Sequence, residues 1–267
     1  MLNNARKCGE KLGGLVNDAS RERLNMDLTL FLTNRCNLNC WSCFEQEVRF
    51  GRDQTLSLDE VQNFIDVTHR SGYHFESFLL NGGEATLHPE FDTIVKMLHE
   101  SKLCDSITLW TNGTVDIDIE TVKRINLFAV SNYEGLRKAS FLLSPEVKSR
   151  LVSRNRTDEW IALPLDPPPP FDDVLPAICR CTRGGLALVK DRVMTCVSAN
   201  SLMTRHGFSL DSHPELWAPL ADGYADHFPS GTDRYSKNIL CRYCPSNENV
   251  RKRVRKGKWL NRRATDG

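Results

Sequence analysis

Through the first half of the chain, short apolar runs alternate with longer stretches whose apolar residues recur every three or four positions. The run Asp27-Leu28-Thr29-Leu30-Phe31-Leu32-Thr33 reads as a buried strand entering a polar turn. Runs at 75–80, 106–110 and 127–130 predict three more strands. Between them, Val61, Phe64, Ile65 and Thr68 share one helical face. Ser57, with Glu60 three residues later, forms a capping-box pattern that opens this helix, and Gly72 ends it. Phe91, Ile94, Val95 and Leu98 mark a second helix over 90–100, and a third is expected over 118–126.

Strand–helix alternation of this kind implies right-handed βαβ units and a parallel sheet. Ligand sites of such sheets lie at the strands' C-terminal ends. There the chain places the loop after Thr33, then Asn81-Gly82-Gly83-Glu84, Thr111-Asn112-Gly113 and Ser131-Asn132-Tyr133. Fifth and sixth strands are expected at 139–143 and 160–163. Pro167 to Pro170 can form neither helix nor central strand, so a domain boundary is expected there. Beyond it, Gly185–Val189 and Val193–Cys196 flank a turn at 190–192 and predict a β-hairpin.

Composition narrows the class. The 267 residues are 40% hydrophobic and 26% charged, ordinary for a soluble globular protein. No apolar run approaches the roughly 20 residues that span a bilayer, and residues 1–10 lack the apolar core of a signal peptide. A cytoplasmic protein is therefore expected, with no membrane partner. The net charge of +1 is uneven: residues 251–267 hold eight Lys or Arg and one acid, leaving 27 basic against 33 acidic residues elsewhere. That tail can attract nucleic acid, phosphate or an acidic partner protein, or be a solvated end, and nucleic acid is not the favoured partner.

Ten cysteines in a reducing compartment point to metal rather than disulfides. They cluster as 36, 40, 43; then 179, 181, 196; then 241, 244, with Cys8 and Cys104 apart. Cys36, Cys40 and Cys43 fall on the loop after the first strand, where three thiolates can face one soft metal centre. A four-iron cluster so held keeps one iron open. A structural zinc site, the plainer reading, needs four ligands, and no fourth Cys or His lies nearby in sequence.

Cys-x3-Cys-x2-Cys after a first strand resembles the signature of the radical S-adenosylmethionine (SAM) superfamily. The resemblance implies a partial (β/α)6 parallel barrel, an α/β fold. It also implies a [4Fe–4S] cluster on Cys36, Cys40 and Cys43, with SAM on the open iron, and reduced flavodoxin or ferredoxin as electron donor. Gly82-Gly83-Glu84 is similar to the family's motif for the SAM amino group, although Ala85 stands where Pro is usual. Asn112, Ser131 and Asn132 fall where the family contacts SAM. Trp41 is the loop aromatic, one position before its usual place.

The later cysteines form a second set. Cys196, Cys241 and Cys244, with either Cys179 or Cys181, make four thiolates, enough for a complete [4Fe–4S] cluster or a zinc site. Cys, hairpin, Cys, then Cys-x2-Cys resembles the twitch subdomain, a shortened SPASM module holding one auxiliary cluster in some radical SAM proteins. Cys181 is favoured over Cys179. The expected organisation is an extension at 1–26, the barrel at 27–170, a small iron–sulfur subdomain at 171–250, and a basic tail at 251–267. The expected activity is oxidation or rearrangement of a small sugar-like or aminocyclitol alcohol, an oxidoreductase using the auxiliary cluster as electron acceptor. Two alternatives remain open: a maturase acting on a peptide side chain, and a zinc-stapled nucleic-acid-binding module. No catalytic base is assigned.

Overall fold

A computed structural model describes residues 22–38, 40, 43, 53–133, 136–155, 160–161, 185–196, 199–228, 239–244 and 256–257. Strand β1, Glu22–Phe31, sits inside an eight-stranded sheet. On one side follow β2 (Tyr73–Asn81), β3 (Cys104–Thr111), β4 (Leu127–Asn132) and β5 (Leu151–Asn155), each parallel to its neighbour. On the other side β7 (Leu186–Val189) runs parallel to β1. Strands β8 (Arg192–Met194) and β9 (Trp217–Pro219) then continue antiparallel.

The four expected strands are present, and β1 reaches back to Glu22, into the stretch read as an extension. Register puts Leu28 beside Phe78, Phe78 beside Ile107, and Leu109 beside Phe128. Alternation carries these residues to one face, where they share a core with Phe64, Ile94 and Leu98 of helices α1 (Leu58–Arg70) and α2 (Phe91–Ser101). The other face carries Thr29, Ser77 and Thr108, with the Ser77 and Thr108 hydroxyls 3.5 Å apart. Sheet faces that are apolar outside and hydroxyl-lined inside suit an open barrel whose helices cover one side.

Helix α1 begins as the sequence indicates. The Ser57 hydroxyl accepts the Glu60 N–H at 3.2 Å, and Glu60 Oε2 accepts the Ser57 N–H at 2.7 Å. Helix α3 (Ile119–Arg124) starts at the Asp118 carboxylate, which accepts the Glu120 N–H at 2.8 Å. Two strand expectations require correction. Residues 139–143 do not form a strand: Ser140–Leu143 is a 3₁₀ turn feeding the short helix α4 (Pro145–Lys148), and the fifth strand follows at Leu151. Pro145 explains the shift, since it favours a helix's first turn. Of the expected strand at 160–163, the described part is β6 (Trp160–Ile161), and it pairs with β10 (Lys256–Gly257) of the basic tail rather than with β5. The sixth parallel strand of the sheet is therefore β7.

The hairpin β7–β8 forms where expected, with Lys190 left-handed (φ 58°) in its turn. Its pairing with β1 makes it an extension of the barrel sheet. Lys190 Nζ contacts Glu60 Oε2 at 3.1 Å and also donates to the Thr55 carbonyl, tying the turn to the start of α1. Helix α5 (Ala199–His206) then packs in a second apolar cluster with Phe31, Val189, Met194 and Leu240. Tyr224 reaches α1, where its hydroxyl lies 3.1 Å from that of Thr68. Pro167 to Pro170 lie outside the described residues.

Candidate active site

The ends of β1 to β4 converge on one open cavity. Cys36, Cys40 and Cys43 all line it, together with Gly83, Glu84, Asn112 and Ser131. The cysteine loop is thus joined to the three polar strand ends identified in the sequence. Cys40 is buried and the other two thiols are half-buried. The Leu38 N–H donates to Cys36 Sγ at 3.4 Å, and the Cys43 N–H donates to the Cys40 carbonyl at 3.1 Å. The Leu38 N–H thus helps to orient the Cys36 sulfur. Among the described residues, no three Cys, His, Asp or Glu side chains converge as the ligands of a single metal ion would.

Gly82 and Gly83 serve the loop's foundation. The Gly83 N–H donates to the Thr33 carbonyl at 2.8 Å, and the Glu84 N–H to the Arg35 carbonyl at 2.7 Å. A Cβ on Gly82 would lie 2.3 Å from Thr33 O, and one on Gly83 would lie 2.5 Å from Arg35 O. The glycines therefore let two backbones meet directly beneath Cys36.

Glu84 is 1% exposed, and its carboxylate is engaged by this chain's own donors. Oε1 accepts the Thr86 and Thr111 hydroxyls, both at 2.7 Å, and Oε2 accepts the Asn112 N–H at 2.6 Å. Burial pushes its pKa up, while these donors oppose the shift. Three donated hydrogen bonds favour the ionised form. Among the described residues Glu84 is the cavity's single carboxylate, and its oxygens are taken by the chain's own donors. The described donor set thus offers three thiols and no fourth protein ligand, which fits a four-iron cluster with one open iron.

Ser131 lines the cavity from β4, and Asn132 ends that strand. Trp41 lies outside the described residues. Sequence reasoning passed over Trp110, a cavity-lining indole that remains 36% exposed. Its place two residues after Thr108, on the hydroxyl-bearing face, was the available signal. It also passed over Asn37, which no sequence pattern links to its partners Asn112 and Thr114 just beyond β3. His88 is structural: Nε2 donates to the Leu56 carbonyl at 2.6 Å, and Nδ1 accepts the Glu90 N–H at 3.0 Å.

Of the second set, Cys196 and Cys244 belong to the same apolar cluster, beside Leu202, Met203 and Leu240. Cys241 lies in a 3₁₀ turn, Ile239–Arg242. Cys179 and Cys181 lie outside the described residues. Among the described residues, no helix is long and apolar enough to cross a membrane.

Residues 30–132 match the model of the Radical SAM superfamily. Similar proteins include the probable GTP 3',8-cyclase of Pyrococcus abyssi, 24% identical over 158 residues, covering 51% of this chain and 50% of that protein. The GTP 3',8-cyclase of Streptomyces coelicolor is 26% identical over 198 residues, covering 73% of this chain and 50% of the relative. This chain spans about half the length of these curated relatives. Among solved structures, BtrN in complex with AdoMet and 2-DOIA is similar in fold. Its TM-score is 0.56 at 14% identity, covering 83% of this chain and 93% of that one.

Proposed function

We propose that this protein is a radical SAM enzyme that dehydrogenates or rearranges a small sugar-like or aminocyclitol alcohol. The observation carrying this reading is the three-thiol cavity in which Glu84, the single carboxylate among the described residues, is already engaged. Cys36, Cys40 and Cys43 would hold a [4Fe–4S] cluster, with SAM at its open iron. Together these groups would supply a 5′-deoxyadenosyl radical, given one electron from reduced flavodoxin or ferredoxin. The chain's own part is positional. The Leu38 N–H supports the Cys36 sulfur, the Gly82-Gly83 backbone carries the loop, and Ser131 and Asn112 offer polar groups to the amino acid and ribose ends of SAM. The Trp110 ring offers a flat apolar surface suited to the C–H face of a cyclic substrate. Cys196, Cys241 and Cys244 with Cys181, or Cys179 in its place, would hold an auxiliary cluster suited to accepting an electron from the substrate. The likeness in fold to BtrN over nearly its whole length supports an enzyme of this small architecture.

A second reading comes from the relatives named GTP 3',8-cyclase, and it is a radical cyclisation of a purine nucleotide. It would use the same barrel site, with Trp110 stacking on the base.

Anaerobic reconstitution followed by iron and sulfide counting tests the reading. About eight irons per chain are expected from two four-iron clusters. Replacing Cys36, Cys40 and Cys43 together should remove about half of them and abolish 5′-deoxyadenosine formation. Protein carrying zinc, with neither iron nor sulfide, would sink it. With the cluster in place, turnover of GTP but of no polyol or aminocyclitol would select the second reading.

A further inference from the structure

Asn37 directly follows the first cysteine, and its side chain closes a three-membered hydrogen-bonded ring with β3's far end. Asn112 Nδ2 donates to Asn37 Oδ1 at 2.9 Å, and Asn37 Nδ2 donates to Thr114 Oγ1 at 2.8 Å. Thr114 Oγ1 donates in turn to Asn112 Oδ1 at 2.6 Å. The amide orientations are forced. The Thr114 N–H donates to Asn112 Oδ1 at 3.0 Å, so Nδ2 of Asn112 must face Asn37, whose oxygen must accept. Donation runs one way round the ring, so each dipole strengthens the next.

The rim to which Asn37 is tied is itself fixed. The Asn112 N–H is held by Glu84, and the Gly113 N–H donates to Thr111 Oγ1 at 2.9 Å. Asn37 by contrast is exposed and belongs to a loop with no regular structure. The ring is thus a bond between a rigid strand end and the segment carrying the cluster's thiols, two positions that are 75 residues apart.

We propose that Asn37 and Thr114 are positioning residues for the cysteine loop. Their ring fixes the Cys36 end of the loop against β3 before any metal arrives. It thereby sets where the open iron stands relative to Asn112 and Ser131. This inference rests on the function proposed above. It also engages the Asn112 side chain in holding the loop. Neither Asn37 nor Thr114 lines the cavity, so changing either alters no group facing a cofactor.

Thr114→Val keeps the shape of the side chain and removes both hydroxyl bonds of the ring, Asn37→Ala removes the loop's member, and Thr114→Ser restores the hydroxyl. After anaerobic reconstitution, Thr114→Val and Asn37→Ala should carry the wild-type iron count. Both should need about tenfold more SAM to convert the electron paramagnetic resonance spectrum of the reduced cluster, the effect of one or two lost hydrogen bonds. In metal-free protein, both should let iodoacetamide reach Cys36 and Cys40 several-fold faster, with Cys104 unchanged as the internal control. Thr114→Ser should behave as wild type in both assays. Wild-type SAM titration and wild-type alkylation in Thr114→Val and Asn37→Ala overturn the proposal. Wild-type protein that takes up no iron overturns the proposed function instead, and the alkylation comparison still decides whether the ring holds the loop.

Discussion

The backbone N–H of Asn112 donates to the Glu84 carboxylate at 2.6 Å, so the residue after the paired glycines of β2 holds the end of β3. The same carboxylate accepts the hydroxyls of Thr86 and Thr111. Two adjacent strand ends on the cavity wall therefore share one buried carboxyl group, and a cofactor lying against them meets a prearranged surface.

Glu84→Gln tests this sharing. Glutamine keeps the volume but turns one acceptor into a donor, and every partner of Glu84 is itself a donor. One N–H or O–H must then lose its partner in a buried site. The expected cost is about 2 kcal/mol, read as a lower urea midpoint with an unchanged slope. A midpoint equal to wild type would show that the carboxylate does not hold the rim.

Gly82→Ala and Gly83→Ala should each be more damaging than their size suggests. The added methyl meets backbone carbonyls at 2.3 Å and 2.5 Å, and these cannot rotate aside as a side chain can. A loss of about 3 kcal/mol is expected for each. Gly72→Ala is the control, because a Cβ there meets nothing within 4 Å and only its φ of +70° is unfavourable. That change should cost about 1 kcal/mol. Equal losses at all three positions would mean that backbone conformation, not the contact under the cysteine loop, sets the requirement.

What the sequence made legible was what it encodes locally. The Ser57–Glu60 capping box spans one turn and forms as read, and the hairpin at 186–194 is set by its own turn. Strands β1 to β4 were readable because each is an apolar run ending in Gly, Asn or Ser. Strand β5 was not, because Leu151–Asn155 carries Ser153, Arg154 and Asn155, whereas the more apolar 139–143 is bent into a 3₁₀ turn before Pro145. Pairing partners distant in sequence were also beyond reach. Nothing in Leu186–Val189 announces β1 as its neighbour, and nothing in Asn37 announces Thr114. Within the site, the cysteines and Gly82-Gly83-Glu84 were legible as motifs. That Glu84 binds the chain's own hydroxyls, and that the glycines face Thr33 and Arg35, emerges only from packing.

Acid sensitivity should follow from His88. Burial lowers its pKa below the ordinary imidazole value of 6.5. Its neutral ring also fits the geometry, with Nδ1 accepting the Glu90 N–H. The folded state therefore binds this proton less readily than the unfolded chain. The resulting stability is fully present above pH 6.5 and is lost as pH falls from there through the depressed folded value. Thermal melts of metal-free protein between pH 7.5 and pH 5 should show a declining midpoint, and His88→Gln should flatten part of that decline. An unchanged pH slope in the variant would assign the acid sensitivity to other groups, such as His99 and His206, whose pKa values burial also lowers.

The two halves of the chain should separate chemically in the Cys241→Ala, Cys244→Ala double variant. Cys244 is buried in an apolar cluster with Leu202, Met203 and Leu240, and neighbouring Tyr243 packs at a tilt against His206 with centroids 4.0 Å apart. None of these residues lines the cavity that holds Cys36, Cys40 and Cys43. If Cys241 and Cys244 ligate a second cluster, their removal should eliminate about half of the iron. SAM cleavage to 5′-deoxyadenosine should continue, because the barrel site keeps its three thiols, while substrate oxidation should cease. The contrary result is equally informative. Full iron content with the substrate still oxidised would make these cysteines packing residues of the second apolar cluster, and the electron leaving the substrate would need an acceptor outside this pair.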